Sequence, residues 1–440
     1  MQERKILGTG VPLYAFTNGH QHQFCLALYV RAGSLFESPE QNGITHLFEH
    51  MVFRNLKRKY GGEFYDLLQL HGLYFCGTTY REFLRCSIEG PVFGFGFAAE
   101  ILEGLFEEIR ISAREFSHEK GRIKAEIREK EERNTLEHFF LRNVWKETNN
   151  EKTVLGYCRV LDSVSLKKLN AYRSEILTAD NCFVYVTGNV SEEDLALLRE
   201  RLDGMAVAQG GAMRKNAVTL SERIFHRDGM VLVKNGGWYA MQFGFDVDTG
   251  RFDGGVLDVL YAVLFSGENA VLHTYLSEND PLIYSYDSTF EQYDNVANLY
   301  FRFEIEEEDM EEAVSRVIQA LNSIKAGDFH FAANLRAQQA NWLMMLDEPE
   351  TLNLNMAYHN HILRDNPIAY HGDQVSRLQV VTKEAVMEAA REIFRKENLT
   401  LAVMGEKRRI DAKRLEAGLE LLSMDQEIGK STRLNSSHAT

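Results

Sequence analysis

The chain has 440 residues, of which 45% are hydrophobic and 26% are charged, and its formal net charge is −15. This length exceeds what a single hydrophobic core usually supports, so we expect two or more domains. The composition is ordinary for a globular protein, and the negative charge argues against nucleic acid as a partner, because phosphate binding needs a basic footprint.

The predicted elements alternate between strands and helices. In chain order they are a strand over residues 24–32, helices over 44–53 and 63–71, a strand over 83–88, a buried helix over 93–109, one long helix or a bent pair over 116–145, and a strand over 181–186 that ends in a turn. This mixture predicts an α+β protein. The basic run over residues 54–59 is interpreted as a solvated face, with a contact to an acidic peptide as the alternative.

A segment near residue 164 recurs late in the chain at a constant offset of 217. The matched positions are Val164, Leu169, Asn181, Val186 and Gly188 with Val381, Val386, Asn398, Val403 and Gly405. Any helix followed by a strand and a glycine turn could look similar, but both copies close a half-length block, which favours duplication. The predicted domains are 1–205 and 223–425, joined by a linker over 206–222 and followed by a disordered or non-native tail over 426–440.

The five cysteines show no spacing typical of a disulfide framework or a four-cysteine zinc site, so reduced thiols are the favoured interpretation. The first 16 residues lack the basic region and apolar stretch of a secretory signal. No apolar run approaches the roughly 20 residues needed to cross a bilayer. We therefore expect a cytoplasmic protein without a transmembrane segment.

The sharpest motif is His46-Leu47-Phe48-Glu49-His50, within the predicted helix over residues 44–53. Positions i, i+3 and i+4 share one helix face, so both imidazoles and the carboxylate point the same way. Two histidines one turn apart can ligate a zinc ion, and the glutamate can then accept a proton from water on that ion. The order H-x-x-E-H is the inverse of the commoner H-E-x-x-H motif. The alternative is a helix end with two surface histidines beside a glutamate.

A catalytic zinc site needs a third protein ligand and leaves a fourth position for water. Glu126 is a candidate, seven residues after Glu119 and so on the same helix face. One carboxylate could bind the metal while the other orients a ligand from outside. A charged, solvated helix is the alternative explanation, because the same stretch carries several other acids.

The residues around the motif resemble the signature of the pitrilysin/insulinase family of zinc metallopeptidases. The matching residues are Val30-Arg31-Ala32-Gly33-Ser34, Glu37, Asn42 to Phe53, Leu155-Gly156, Tyr172, Asn181 and Gly188-Asn189. In that family the third ligand is a glutamate well past the second histidine, seven residues after another functional glutamate. Glu126 lies 76 residues after His50. The resemblance therefore implies His46, His50 and Glu126 as zinc ligands, with Glu49 and Glu119 as catalytic residues.

The resemblance also implies two homologous α/β domains in tandem, each an antiparallel sheet backed by helices, which form half of a clamp. Two such chains would enclose a chamber that admits peptides and excludes folded proteins. A peptide substrate would add as a strand to a sheet edge near the zinc. The family's edge segment usually reads Asn-Ala-x-Thr, and here Cys76, Gly77 and Thr78 hold its first three positions as predicted substrate-binding residues. Packing is the favoured role for the Cys76 thiol, since nothing in the sequence activates it.

Active members of the family draw an arginine and a tyrosine from a domain without zinc to stabilise the oxyanion. Tyr284 matches the tyrosine, with a core tyrosine as the alternative explanation, whereas Ser277 stands at the arginine position. The second half lacks metal ligands, because residues 256–265 contain no histidine or glutamate and Asn341 is the counterpart of Glu126. We therefore expect a related chain without zinc as a heterodimer partner, with a homodimer as the weaker alternative.

The leading hypothesis is a zinc-dependent endopeptidase that hydrolyses peptides or small precursor polypeptides. The alternative is a non-catalytic structural or assembly subunit of the same family, which the missing arginine favours and the complete ligand set opposes. A small-molecule hydrolase that uses the same zinc has no positive feature in the sequence.

Overall fold

The computed structural model describes residues 2–133, 135–205, 207, 214, 224–278, 280–293, 296–363 and 371–422. Most of the predicted linker and all of the predicted tail lie outside these residues. The chain divides into two units, one made of Met1–Ser221, Tyr293–Asn295 and Gln339–Ser376 and the other of Glu222–Gln292, Val296–Gln338 and Arg377–Thr440. No helix in the described residues is both long and apolar enough to span a membrane.

The described residues form eleven strands. They are β1 (Gln2–Ile6), β2 (Pro12–Thr17), β3 (Gln23–Val30), β4 (Tyr74–Thr79), β5 (Leu84–Pro91), β6 (Cys182–Gly188), β7 (Met230–Asn235), β8 (Ala240–Val247), β9 (Asp287–Gln292), β10 (Ala297–Glu304) and β11 (Leu399–Gly405). The first sheet has the order β1-β2-β6-β3-β5-β4 and the second has the order β7-β11-β8-β10-β9. Each sheet is antiparallel except for one parallel pair, β2 with β6 and β7 with β11.

Sixteen α-helices surround these sheets in the described residues. They are α1 (Ile44–Lys59), α2 (Phe64–Leu70), α3 (Phe95–Gly104), α4 (Ala113–Arg133), α5 (Leu136–Val144), α6 (Cys158–Ser163), α7 (Leu166–Ile176), α8 (Glu192–Asp203), α9 (Gly254–Phe265), α10 (Val271–His273), α11 (Met310–Ala326), α12 (Phe331–Met345), α13 (Pro349–Ala357), α14 (His371–Gln379), α15 (Lys383–Ile393) and α16 (Ala412–Leu419). The stretch predicted as one long helix or a bent pair is the pair α4 and α5, and the Thr135 side chain caps α5.

The sheet of the first unit is covered on both faces. Alternate residues of β3 point to opposite sides, as the pleat requires. Leu26 and Leu28 belong to the core beneath α1, α3 and α7. Ala27 and Tyr29 belong to a second core against α13, where they meet Leu352. Both sides of this strand are therefore buried, which explains why its sequence is apolar without alternation.

The two units repeat one helix–strand motif, which confirms the predicted tandem arrangement of homologous domains. Helices α7 and α15 start 217 residues apart, as do strands β6 and β11. Ser165 and Thr382 cap the two helices through their side-chain oxygens. Asn181 and Asn398 then donate side-chain hydrogen bonds of 2.9 Å to the last carbonyl of the preceding helix. The same local chemistry therefore fixes the helix-to-strand connection in both copies.

Candidate metal centre

The first turn of α1 is anchored by a buried carboxylate. Glu37 accepts hydrogen bonds from the backbone N–H groups of Gly43 and Thr45, at 2.7 and 2.9 Å, and from the Thr45 hydroxyl at 2.7 Å. The Asn42 amide donates to the same carboxylate at 2.9 Å. A negative charge at a helix N-terminus satisfies the free N–H groups and interacts favourably with the helix dipole. The helix that carries the motif therefore begins at a fixed place.

Two glycines let a distant loop close against this turn. Gly43 has φ of 94°, and a Cβ there would lie 2.6 Å from the carbonyl oxygen of Leu155. Gly156 has φ of 72°, and its Cβ would lie 2.2 Å from the carbonyl oxygen of Asn42. Larger residues fit neither position, because both the backbone conformation and the space exclude a side chain. These are residues that carry the family resemblance, and the structure brings them together beside α1.

The three predicted metal ligands converge between α1 and α4. The Glu126 Oε2 atom lies 3.7 Å from His46 Nε2 and 3.9 Å from His50 Nε2. The two imidazole rings have centroids 4.7 Å apart and are nearly perpendicular. One ligand atom from each of the three side chains lies within 4.8 Å of the other two. The H-x-x-E-H helix turn and the carboxylate from α4 therefore form one cluster.

This donor set fits zinc. Zinc binds imidazole nitrogen and carboxylate oxygen at about 2.0–2.2 Å, and tetrahedral geometry then places ligand atoms roughly 3.3–3.5 Å apart. The Glu126 oxygen is only a few tenths of an ångström farther than that from each imidazole nitrogen. Two imidazoles and one carboxylate are also the ligand set of catalytic sites that keep a fourth position open. The three side chains could therefore share one metal ion.

Glu49 lies on the same helix turn and is held by the edge strand. The Thr79 hydroxyl on β4 donates a hydrogen bond of 2.5 Å to Glu49 Oε2. Burial raises the pKa of Glu49, while the hydrogen bond from Thr79 and the charge of His50 oppose that shift. A raised pKa suits a carboxylate that must take up a proton and release it again. Thr79 was not among the predicted substrate-binding residues, although it stands at the threonine of the family's Asn-Ala-x-Thr edge segment, which is the signal that could have found it.

The predicted substrate-binding residues lie on β4, the outermost strand of the first sheet. Gly77 packs directly on the site, since a Cβ there would lie 2.7 Å from Phe53 Cε2 and 2.9 Å from Glu49 Cγ. Cys76 and Thr78 alternate with Gly77, so their side chains belong to the other face, where their Sγ and Oγ1 atoms are 3.8 Å apart. Of the three predicted residues, Gly77 is therefore the one that packs against Glu49.

Glu119 lies behind the ligands rather than among them. Its Oε1 atom is 3.0 Å from His50 Nδ1, and its Oε2 atom accepts a hydrogen bond of 2.5 Å from Arg54 Nε. Burial would raise the pKa of Glu119, but the hydrogen bonds from His50 and Arg54 outweigh it and hold that pKa below its usual value. The structure thus separates the two glutamates of α4, with Glu126 facing the histidine Nε2 atoms and Glu119 facing the far side of one ring.

The basic run over residues 54–59 is not uniformly solvated. Arg58 and Lys59 are exposed, as the interpretation of a solvated face expects. Arg54 is different, because its side chain is only 27% exposed and pairs with the buried Glu119. Arg54 follows His50 by four residues, and this spacing could have indicated that both side chains point in the same direction.

Tyr284 and Ser277 lie in the other unit, whereas Asn341 belongs to the first. The Tyr284 side chain is 99% exposed, so it is not a core tyrosine. Ser277 lies in a π-helical turn over Thr274–Glu278. Helix α9, the counterpart of α1, presents no histidine or glutamate in its sequence. Tyr284 is therefore available for contact, and no arginine accompanies it at position 277.

A second group of possible metal ligands lies in the same unit. Glu268, His273 and Glu278 each offer a ligand atom within 4.8 Å of the others. The two glutamate side chains are 93% and 61% exposed, and the histidine lies 3.4 and 3.5 Å from them. Exposed charges of this kind form weak surface ion pairs, so this group lacks the fixed, half-buried setting of the first cluster.

Two curated proteins are similar to part of this chain. A protein named as an uncharacterized zinc protease in Rickettsia bellii is 21% identical over 207 residues, which cover 44% of this chain and 48% of that protein. The human mitochondrial-processing peptidase subunit beta is 24% identical over 172 residues, which cover 39% of this chain and 35% of that protein. For both relatives the match spans less than half of their length.

Solved structures share the fold. A protease from Helicobacter pylori superposes with a TM-score of 0.79 at 17% identity, over 92% of this chain and 99% of that chain. The family model for insulinase, peptidase family M16, matches residues 15–157, and the model for the M16 inactive domain matches residues 163–340. The first model contains the metal-ligand cluster, and the second begins just before α7. Together the two models account for most of the chain, which belongs to the insulinase family of peptidases.

Proposed function

We propose that this chain is a zinc-dependent endopeptidase in which Glu49 activates the attacking water. One observation supports this above all others: His46, His50 and Glu126 bring three ligand atoms within 4.8 Å of one another, and Glu49 lies on the same helix turn. Relatives that carry the name zinc protease point to the same metal.

Zinc in this position would supply a Lewis acid that polarises the scissile carbonyl and acidifies water. Glu49 would accept the proton of that water and later deliver it to the leaving amine. The hydrogen bond from Thr79 fixes the Glu49 carboxylate in one orientation, and burial keeps its affinity for a proton high. His50 would keep its Nε2 atom free for the metal because Glu119 binds its Nδ1 atom.

The substrate we propose is a peptide or small precursor polypeptide in an extended conformation. Strand β4 is the last strand of its sheet and pairs with β5, so its other edge can pair with a peptide backbone. Thr79 at the end of this strand touches Glu49, which would place an added strand beside the metal. Main-chain pairing of this kind selects extended, unfolded segments rather than folded proteins.

We propose a related chain without zinc as the partner, in a two-chain chamber. Ser277 cannot replace an arginine, because a hydroxyl carries no charge to stabilise an oxyanion. A partner that supplies both the arginine and the tyrosine would complete the site, and a relative named as subunit beta supports such an assembly. The five free cysteines suit the cytoplasm, which is the location we propose.

The direct test is metal analysis combined with two substitutions. Purified chain should contain about one zinc per molecule, lose it in His50→Ala and retain it in Glu49→Gln. Peptide cleavage, measured with and without the candidate partner, should disappear in both variants and on chelation, and should return to the wild type when zinc is added back. Cleavage by Glu49→Gln at the wild-type rate would refute the assignment.

The second candidate function is a non-catalytic structural or assembly subunit. Ser277 at the arginine position is the observation that favours it. A stable chain that purifies without metal, and that binds no zinc on addition, would support this function over the first.

A further inference from the structure

Arg54 is the member of the basic run whose side chain turns inward. It follows His50 by one turn of α1, so both side chains point from the same face toward α4. Its Nε atom donates a hydrogen bond of 2.5 Å to Glu119 Oε2. The neighbouring Arg58 is exposed and makes no such contact with Glu119. Arg54 is therefore linked to the predicted metal ligand His50 through Glu119.

The two oxygens of Glu119 have different partners. Oε1 lies 3.0 Å from His50 Nδ1, and Oε2 binds Arg54. Arg122 also reaches Oε1, at 3.3 Å, but its side chain is 61% exposed. A carboxylate bound through one oxygen can still rotate about its last bond, whereas one bound through both oxygens has a fixed plane. Arg54 therefore fixes the plane of the group that orients the His50 ring.

The surroundings of Glu119 make this contact important. The residue is 2% exposed, so its carboxylate is satisfied by protein donors rather than by bulk solvent. A buried carboxylate that loses its cation is costly and moves toward another donor. Without Arg54, the Oε2 atom loses its hydrogen-bond partner, and the plane of the carboxylate can turn relative to the His50 ring.

We propose that Arg54 is a positioning residue for the metal centre, which acts through Glu119 to hold the His50 ring with Nε2 toward the metal. This inference rests on the proposed zinc function. Outer partners of a metal-binding histidine typically change metal affinity by about 10- to 100-fold, and Arg54 is one contact farther out than Glu119. We therefore expect an effect near the lower end of that range.

The test is the zinc affinity of the full-length chain, measured by competition with a chromophoric chelator. Arg54→Ala should weaken zinc binding about tenfold, and Glu119→Gln should weaken it by at least as much. The double variant should bind zinc no more weakly than Glu119→Gln alone, because Arg54 acts through that carboxylate. Arg58→Ala removes the same charge from the same helix and should leave zinc affinity unchanged.

A second pair of variants separates positioning from folding. Arg54→Gln keeps a hydrogen-bond donor on a similar stem, and Arg54→Lys keeps the charge without the planar group, so both should fall between the wild type and Arg54→Ala. The absorption spectrum of the cobalt-substituted chain should change in Arg54→Ala and not in Arg58→Ala, because it reports ligand geometry.

Two results would overturn the inference while leaving the zinc function intact. One is that the wild type binds zinc and that Arg54→Ala binds it with the same affinity. The other is a double variant whose loss equals the product of the two single losses, since that would show that Arg54 and Glu119 act independently. A wild type that binds no zinc would overturn the proposed function as well, so the two failures are distinguishable.

Discussion

The contact between Gly77 on β4 and Glu49 on α1 makes Gly77→Ala an informative perturbation. A single methyl group at this position would lie 2.7 Å from Phe53 Cε2, 2.9 Å from Glu49 Cγ and 3.3 Å from Glu49 Cδ. Carbon atoms in favourable contact are about 3.5–4.0 Å apart, so the Glu49 stem must move by roughly 0.6–1 Å. The substitution therefore displaces the proposed base without touching a metal ligand.

The magnitude follows from two opposing effects. Alanine in a strand is favoured over glycine by about 0.5–1 kcal/mol, whereas overpacking costs about 1–3 kcal/mol. We expect the free energy of unfolding to fall by about 1–2 kcal/mol. A misplacement of about 1 Å at a reacting group can cost roughly 100-fold in rate, so we expect kcat/KM to fall about 30- to 100-fold.

The assay is peptide cleavage and zinc content measured on the same preparations. Zinc content should be unchanged, and the loss should appear mainly in kcat. Gly121→Ala on α4 is the control, because a Cβ there meets nothing within 4 Å, and it should retain full activity. Adding Phe53→Leu should recover stability but not activity, since the contact with Glu49 persists. Activity of Gly77→Ala within twofold of the wild type would refute this reasoning.

Three further outcomes are expected. Thr79→Val removes the hydrogen bond that lowers the pKa of Glu49, so that pKa should rise and the acidic limb of the kcat/KM profile should move to higher pH; an unmoved limb would contradict this. Asn353→Leu should lower the free energy of unfolding by about 2–3 kcal/mol in denaturant titrations. The buried Asn353 side chain accepts a hydrogen bond from the Tyr29 hydroxyl and donates to the carbonyls of Cys25 and Tyr185, and leucine can do neither. A loss below about 1 kcal/mol would contradict this expectation. Reversible chelation should abolish cleavage with little loss of helical circular dichroism, and unfolding of the metal-free chain would count against a preformed site.

The helices, the strands and the H-x-x-E-H motif could be predicted from the sequence because each depends on the spacing of residues that are close along the chain. The H-x-x-E-H turn required only that residues 44–53 be helical, and α1 extends beyond that to Lys59. The extension was missed because residues 54–59 are polar and lose the apolar stripe, although lysine, arginine and leucine favour helices. The break between α4 and α5 could not be located, since its signal is a single capping residue, Thr135.

Contacts between distant residues were harder to foresee. Arg54 and Glu119 are 65 residues apart, and nothing local in either sequence selects the other from many charged neighbours. Helix α13 packs on the sheet of the first unit, where Asn353 meets strand carbonyls 168 and 328 residues away. The apolar residues of α13 would suit any buried surface, so their pattern indicates burial but not its partner.

The Glu37 anchor has a consequence for the proposed binding of a metal ion. Because a carboxylate of the protein itself organises the start of α1, the conformational entropy of the receiving helix is lost when the chain folds, before any ion arrives. Ion capture then needs only side-chain adjustment. The fold around α1 would then persist when the ion is removed and would accept it again without refolding.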